Sequence, residues 1–259
     1  MIQGYDITTY GERMAEVYDQ WPGVPQNTDA IVAALTRLAG SGPILELGIG
    51  TGRIALPLAQ HGFRVHGIDA SPAMVAHLRA KPGGEHIPVT IGNFADMAVE
   101  GRFTLIFVVF NTFFGLLSQD DQVRCVQGVA QHLTDNGLFV LEAFVPDLTR
   151  YDRGQRVEAR QVESDQVHLA TSVHDPVQQR VMTQQVVLTA QGTRFYPVQT
   201  RYAWPAELDL MARLAGLQLR HRWSGWAEEP FTASSGSHVS VYARAVDEPR
   251  RRTRVSKRG

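Results

Sequence analysis

The stretch Ile44–Ala59, ILELGIGTGRIALPLA, decides how the rest of the chain is read. Its apolar opening, with Pro43 in front of Ile44-Leu45-Glu46-Leu47, is a short buried strand. The strand runs into a loop where Gly48, Gly50 and Gly52 allow backbone angles, and a close ligand approach, that a Cβ would forbid. A helix is expected from Arg53 to His61, with its free N–H groups facing whatever sits above the loop. The next strand, Arg64 to Ile68, ends at Asp69, near the position where such folds set a carboxylate against two ribose hydroxyls. A bare glycine turn would not require that aspartate. A dinucleotide site would place its third glycine one position later, in G-x-G-x-x-G spacing. The spacing here is G-x-G-x-G preceded by Glu46, which points away from NAD.

Working outward, strands and helices alternate. Helices are expected at Tyr10 to Gln20, Asn27 to Ala39, Pro72 to Ala80 and Gln119 to Leu133, with Thr8 or Thr9 capping the first. Further strands are expected at Val89 to Ile91, Thr104 to Phe110 and Gly137 to Ala143. That alternation implies right-handed βαβ units and a mostly parallel sheet. Beyond Pro146 it stops, and three stretches of strand character follow: Arg156 to Val173, Arg180 to Thr189 and Thr193 to Trp204. These read as an antiparallel meander. A helix at Ala206 to Ala215 and strands at Gln218 to Trp223 and His238 to Ala245 then complete the core. The expected fold class is α/β: a Rossmann-like, seven-stranded, mostly parallel sheet with an inserted antiparallel β-meander.

Composition narrows the function classes. A chain of 259 residues with a formal net charge of −1 gives no reason to expect a nucleic-acid partner, which needs a clearly basic surface. The exception is the terminal block EPRRRTRVSKRG, expected to be a disordered basic tail over 247–259. The only cysteine, Cys125, excludes a disulfide framework and a cysteine-rich metal site, and no metal is expected. No window approaches the ~20 apolar residues of a membrane span, and the N-terminus lacks an apolar signal core, so a cytoplasmic location is expected.

The strings E46-L-G48-I-G50-T-G52 and V65-H-G-I-D69-A-S-P-A-M74 resemble motif I and the following acidic motif of class I S-adenosylmethionine (SAM) dependent methyltransferases, over about Tyr10 to Leu148. The resemblance implies SAM as cofactor and S-adenosylhomocysteine (SAH) as product. It implies that Glu46, Gly48, Gly50 and Gly52 line the amino-acid half of SAM, with Arg53 beside them. Asp69 would bind the ribose, and Ala70 or Met74 would pack on the adenine. Asn93 and Phe94 match the adenine-edge position, where Asp96 competes with Asn93, and Phe110 closes the expected cofactor set. Tyr10 and Tyr18, eight residues apart on the expected first helix, can share a face. With Trp21 they form either an aromatic lid, whose rings attract a sulfonium, or an apolar packing stripe.

The acceptor side is read from LIFVVFNTFFGLL, Leu105–Leu117. Asn111 and Thr112 interrupt an apolar run where ligands meet the carboxyl ends of strands. Asn111 would face the acceptor and orient an amine through its carbonyl, or else cap the following turn. The chain resembles small bacterial natural-product N-methyltransferases of the amino-sugar and peptide N-terminal types. The amino-sugar enzymes carry a histidine four residues past this strand end, where Gly115 stands here. Catalytic candidates are Asn111, Tyr18 and His238, the last as base or as a core histidine. Substrate candidates are Trp21, Asn111, Phe114, His174, Arg201, Tyr202 and Trp204, with Arg201 either pairing a substrate anion or serving as a solvated or interfacial residue. The organisation expected is a SAM-binding core with a helical lid over 1–148, a substrate or dimer insert over 149–204, and core completion over 205–246. A small-molecule or peptide substrate and a homodimer are expected, the latter because the meander leaves β-edges exposed.

Overall fold

The computed structural model describes residues 4–22 and 27–245, so the expected basic tail at 247–259 lies outside the described residues. Strand β1 (Ile44–Leu47) is buried along its whole length, as an apolar strand with neighbours on both faces must be. It sits in a seven-stranded sheet with β2 (Val65–Asp69) and β3 (Val89–Ile91) on one side and β4 (Phe103–Val108) and β5 (Leu133–Phe144) on the other. Beyond β5 come β11 (Ser237–Arg244) and, at the edge, β10 (Leu217–Trp223). Strands β1 to β5 pair in parallel, and β11 is antiparallel to both its neighbours.

Alternation along the strands sorts side chains to the two faces of the sheet. Leu45, Leu47, Ile106 and Val108 pack with helices α5 (Gln119–His132) and α6 (Pro205–Leu214). Ile44, Leu105 and Phe107 pack on the other face with α2 (Thr28–Ala39) and α3 (Ala55–Gln60). Chain order reverses between β1 and β4, so their carboxyl ends diverge and open a crevice there, the position where doubly wound sheets bind ligands.

Three expectations on element bounds are corrected. The first helix, α1, covers only Thr9–Met14, and the chain then turns into a short 3-10 segment at Tyr18–Gln20. Asp19 in that segment bonds Thr51 and Lys81, contacts that a continued helix would have to forgo. Thr8 is the capping residue, but its hydroxyl makes no capping bond. Asp6 instead accepts from the N–H groups of Thr8 and Thr9. The third correction is in the insert, where the run Arg156 to Val173 is two strands, β6 (Gln155–Val162) and β7 (Gln166–Asp175), split at Glu163-Ser164-Asp165. With β8 (Arg180–Thr189) and β9 (Gly192–Arg201) they form a separate four-stranded antiparallel sheet in sequential order. No helix among the described residues is long and apolar enough to cross a membrane.

Candidate active site

The glycine loop is set by its neighbours. Gly48 and Gly50 have φ of 74° and 54°, left-handed values natural to glycine. A Cβ on Gly48 would meet Thr112 Cγ2 at 2.4 Å, so the glycine lets the β1 loop approach the β4 loop, whereas a Cβ on Gly50 would meet nothing nearer than the Gly48 carbonyl oxygen at 4.0 Å. The N–H groups of Gly48 and Ile49 both donate to the Ile68 carbonyl, and that of Gly50 donates to Asp69 Oδ2 at 2.7 Å. Those bonds anchor the loop rather than leaving its amides free for a ligand, and the helix starts later than expected, at Ala55. Asp69 Oδ1 accepts from Ser71 N, leaving further lone pairs on both oxygens.

Beneath the loop lies Glu46, 3% exposed, whose Oε2 has no hydrogen-bond partner among the described residues. Burial, reinforced by Asp69, raises its carboxyl well above the usual range, and burial raises Asp69 as well. Two carboxyls raised together are relieved by a nearby cation, which an amino-acid ammonium or a sulfonium supplies.

The N-terminal segment closes over this loop. Glu12 Oε1 accepts from Ser71 Oγ and Ala73 N, at the start of α4 (Pro72–Arg79). Asp19 accepts from Thr51 Oγ1 at 2.6 Å and pairs with Lys81 at 2.6 Å. Met14 and Ala15 pack with Met74 and with Tyr196 of the insert sheet, and Trp21 meets the Tyr196 ring edge-on at 5.0 Å. Tyr10, Tyr18 and Trp21 all line the cavity, although the two tyrosines do so across a turn and not along one helix face. Burial raises both phenols, so they stay protonated at neutral pH.

Gly11 sets how close this lid lies, since a Cβ there would sit 2.3 Å from Ser71 Cβ. Gly11→Ala should therefore hold the lid off α4 even though alanine favours a helix by about 1 kcal/mol over glycine. The expected result is SAM release several-fold faster with little change in thermal midpoint. Stopped-flow fluorescence from Trp21 would measure it, and an unchanged rate would mean that the lid does not retain the cofactor.

At the carboxyl end of β4, Phe110 and Asn111 adopt left-handed φ of 57° and 63°. Two consecutive non-glycine residues there are strained, and β5 holds them. Phe110 N donates to Glu142 Oε2 at 2.8 Å, and Phe144 N donates to Asn111 Oδ1 at 2.6 Å. The expected acceptor-facing carbonyl of Asn111 is thus engaged with the backbone. Glu142, unremarked in the sequence, lines the cavity and uses its other oxygen to accept from Trp226 Nε1. Its signal was available: an acid within an apolar strand, VLEAF, as in ILELG.

The remaining candidates divide. Ala70, Met74, Asn93, Phe94 and Tyr202 line the cavity with Asp69 and Asn111. Asp96 instead pairs with Arg124 on the surface, whereas Asn93 lines the cavity and accepts from Ala95 N through its Oδ1. Arg53, Gly52, Phe114, His174 and Trp204 are outside the lining set. The Arg53 guanidinium stacks on the Phe110 ring at 3.5 Å, and a Cβ on Gly52 would hit Leu78. Phe114 is fully buried, edge-on to Phe144. His174 stacks on Tyr151 and bonds the Tyr202 hydroxyl at 2.9 Å, while Trp204 is a half-exposed residue preceding α6. Arg201 is neither solvated nor free for a substrate: it is buried and bonded to Glu207, Gln122 and Gln179.

His238 is also corrected. It is fully buried in β11, opposite Ala143, with Nδ1 against Ser240 Oγ at 2.9 Å, and it does not border the cavity. Burial, with Arg222 adding, pushes its pKa down to about 4. Between pH 6.5 and 4 the unfolded chain takes up a proton that the native His238 refuses, so stability falls as pH falls. The loss from this group should reach about 3 kcal/mol at pH 4. Urea unfolding of wild type and His238→Gln at pH 7, 5.5 and 4.5 would measure it. Parallel pH dependence in the two proteins would remove His238 as the cause.

Together these elements enclose a cavity of about 1000 Å³ between the sheet ends, the lid and the insert. That is the upper end of the range for small-molecule sites, about 300–1,000 Å³, and leaves room beyond a cofactor. The positive-φ loop at Gly50, an acid at the end of β2 and a buried Glu46 with one oxygen lacking a hydrogen bond fit SAM. They define the site of a class I SAM-dependent methyltransferase.

Known proteins agree. A methyltransferase domain family matches residues 44–137. The structure of the CcbJ methyltransferase from Streptomyces caelestis is 41% identical, with a TM-score of 0.88 over 93% of this chain and 100% of that one. A cypemycin N-terminal methyltransferase from a Streptomyces species is 28% identical over 242 residues, 92% of this chain and 99% of the relative. A SAM-bound amino pentose methyltransferase from Micromonospora echinaspora, at 20% identity and a TM-score of 0.67 over 89% of this chain and 96% of that one, shares the fold. The chain belongs to the SAM-dependent methyltransferases.

Proposed function

We propose that the chain methylates an amine nitrogen on a small-molecule or peptide acceptor. When bound, SAM supplies an electrophilic methyl group on a sulfonium sulfur. Glu46, the Gly48–Gly50 loop and Asp69 hold its amino-acid and ribose parts. Ala70, Met74, Asn93 and Phe94 hold the adenine, and Phe110 with Tyr10 and Tyr18 closes the site to water. Trp21 and Tyr202 border the acceptor, and Asn111 fixes the β4 end beside it.

The observation that supports nitrogen over oxygen is that no histidine stands at that strand end among the described residues, and the one carboxyl there, Glu142, is held by two N–H groups. Both Glu142 oxygens and Asn111 Oδ1 accept backbone or indole N–H groups, and His238 is sealed away. An amine that loses its proton to solvent before binding needs no base, whereas a hydroxyl requires one during methyl transfer. The N-terminal acceptor in the cypemycin relative's name supports the same choice.

The insert is read as the acceptor-binding part, in natural-product biosynthesis in the cytoplasm. Its outer face exposes Val157, Val162 and Phe195, which supports a homodimer. To test the acceptor, a neutral peptide with a free N-terminal amine and its N-acetylated form would be incubated with SAM and followed by mass spectrometry. Gain of a methyl by the free amine alone is expected. Equal methylation of the acetylated peptide would move the reaction to oxygen.

A further inference from the structure

The cavity is electrically two-ended. At the glycine-loop end stand Asp69 and, on β5, Glu142, with Glu46 buried behind them. At the insert end stand Arg150, Arg156 and Arg160, all in the cavity wall, around Glu158. The residues Arg156 and Glu158 alternate onto one face of β6, as strand periodicity requires. Arg160, two residues further on, falls on that face by the same alternation, and the register shift between Ala159 and Gln161 adds Gln161 to the wall beside it.

The arginines outnumber their acidic partner. Glu158 Oε1 pairs with Arg156 at 2.7 Å, and Oε2 pairs with Arg160 at 3.1 Å and Arg150 at 3.9 Å. Three guanidiniums with five N–H donors each thus share one carboxylate, and among the described residues they have no other ion-pair partner. Asp147, also in the wall near Arg150, already accepts from Thr149 N and Oγ1. The three side chains are 23% to 49% exposed, so they are reachable from the cavity, in contrast to Arg201, sealed at 6% in its own ion pair with Glu207. The cluster is also locally positive on a negative body: the chain's −1, less the +4 of residues 246–259, leaves −5 for residues 1–245.

We propose that Arg150, Arg156 and Arg160, organised by Glu158, form a subsite for a carboxylate carried by the acceptor at the end remote from its methylated amine. This rests on the reading of the chain as an amine methyltransferase and names the substrate class: an amine that also bears an anion. The positive end of the cavity attracts the anion of such a molecule and the acidic end repels it, which orients the molecule before any contact is made, even with its amine neutral. A guanidinium binds a carboxylate through paired N–H donors, which fixes its direction as well as its charge. A phosphate presents the same chemistry, and the test separates the two.

The probes are a neutral tetrapeptide with a free N-terminal amine, prepared as the C-terminal acid, as the C-terminal amide, and as the amide ending in phosphoserine. Each is titrated by calorimetry into the full chain with and without SAH. The acid should bind at least tenfold tighter than the amide in low salt, with the gap shrinking as salt rises. Arg156→Gln/Arg160→Gln should bring the two within twofold while leaving SAH affinity unchanged. Arg150→Gln, outside the strand, should narrow the gap several-fold and guards against a folding defect in the double variant. Equal affinity of acid and amide for the wild type, no measurable binding of the acid at millimolar concentration, or a gap that survives the variants would overturn the subsite. Tighter binding of the phosphoserine peptide would overturn the carboxylate assignment in favour of a phosphate. Failure of SAH itself to bind would strike the methyltransferase reading separately, because the peptide comparison is also made without it.

Discussion

Asp69→Ala is expected to weaken SAM binding by about 100-fold or more. A charged carboxylate accepting two ribose hydroxyls contributes roughly 1.5–3 kcal/mol per hydrogen bond, and the substitution removes both. It also releases the N–H groups of Gly50 and Ser71, which Asp69 now anchors at 2.7 and 2.9 Å, so the glycine loop loses its tie to β2. Asp69→Asn keeps one acceptor oxygen and should recover part of the affinity. Because burial raises both the Asp69 carboxyl and that of Glu46, binding of a cation should release protons and tighten as pH rises through their pKa values. Calorimetry in buffers of different ionisation enthalpy measures affinity and proton release together. Undiminished affinity in Asp69→Ala would remove this residue from the ribose site.

Asn111→Ala is expected to cost roughly 2–3 kcal/mol of stability and most of the turnover. Alanine at a φ of 63° meets the left-handed penalty of about 1–2 kcal/mol, which asparagine tolerates better. The Phe144 N–H is left without its acceptor, at about 1 kcal/mol or more. Asn111→Gly separates the two effects, since glycine accepts the backbone angle but not the hydrogen bond. Stability in Asn111→Gly should fall by less than in the alanine variant, while turnover should drop in both because the β4 end loses its fixed position. Urea unfolding and steady-state rates on the two variants decide it. If Asn111→Gly were as stable as wild type yet inactive, the side chain would be acting on the acceptor directly.

The break in LIFVVFNTFFGLL shows how sequence and structure divide the explanation. The end of a buried strand and its place beside a ligand follow from the apolar run and the βαβ alternation. Which backbone N–H the Asn111 Oδ1 accepts from does not, because Phe144 lies on β5 and comes into register only through sheet pairing. Glu142 is hidden for the same reason: its hydrogen bonds reach Phe110 and Trp226, on segments remote in sequence. Arg201 and His238 look like site residues in one dimension, since charged and titratable side chains at strand ends often are. Burial and committed partners turn both into structural elements.

The amino-acid sequence alone determined the doubly wound core, the glycine loop and the acid that follows it, and therefore the cofactor. Those features depend on local backbone freedom and on periodicity over a few residues, which a linear string records. The tertiary structure alone decided the lid's anchors on Thr51, Lys81 and Ser71, and the clamp from β5 onto the β4 end. It also decided the gathering of three arginines about Glu158. Each of these joins groups from separate elements, so its geometry exists only once the two sheets and the N-terminal segment have packed around one cavity.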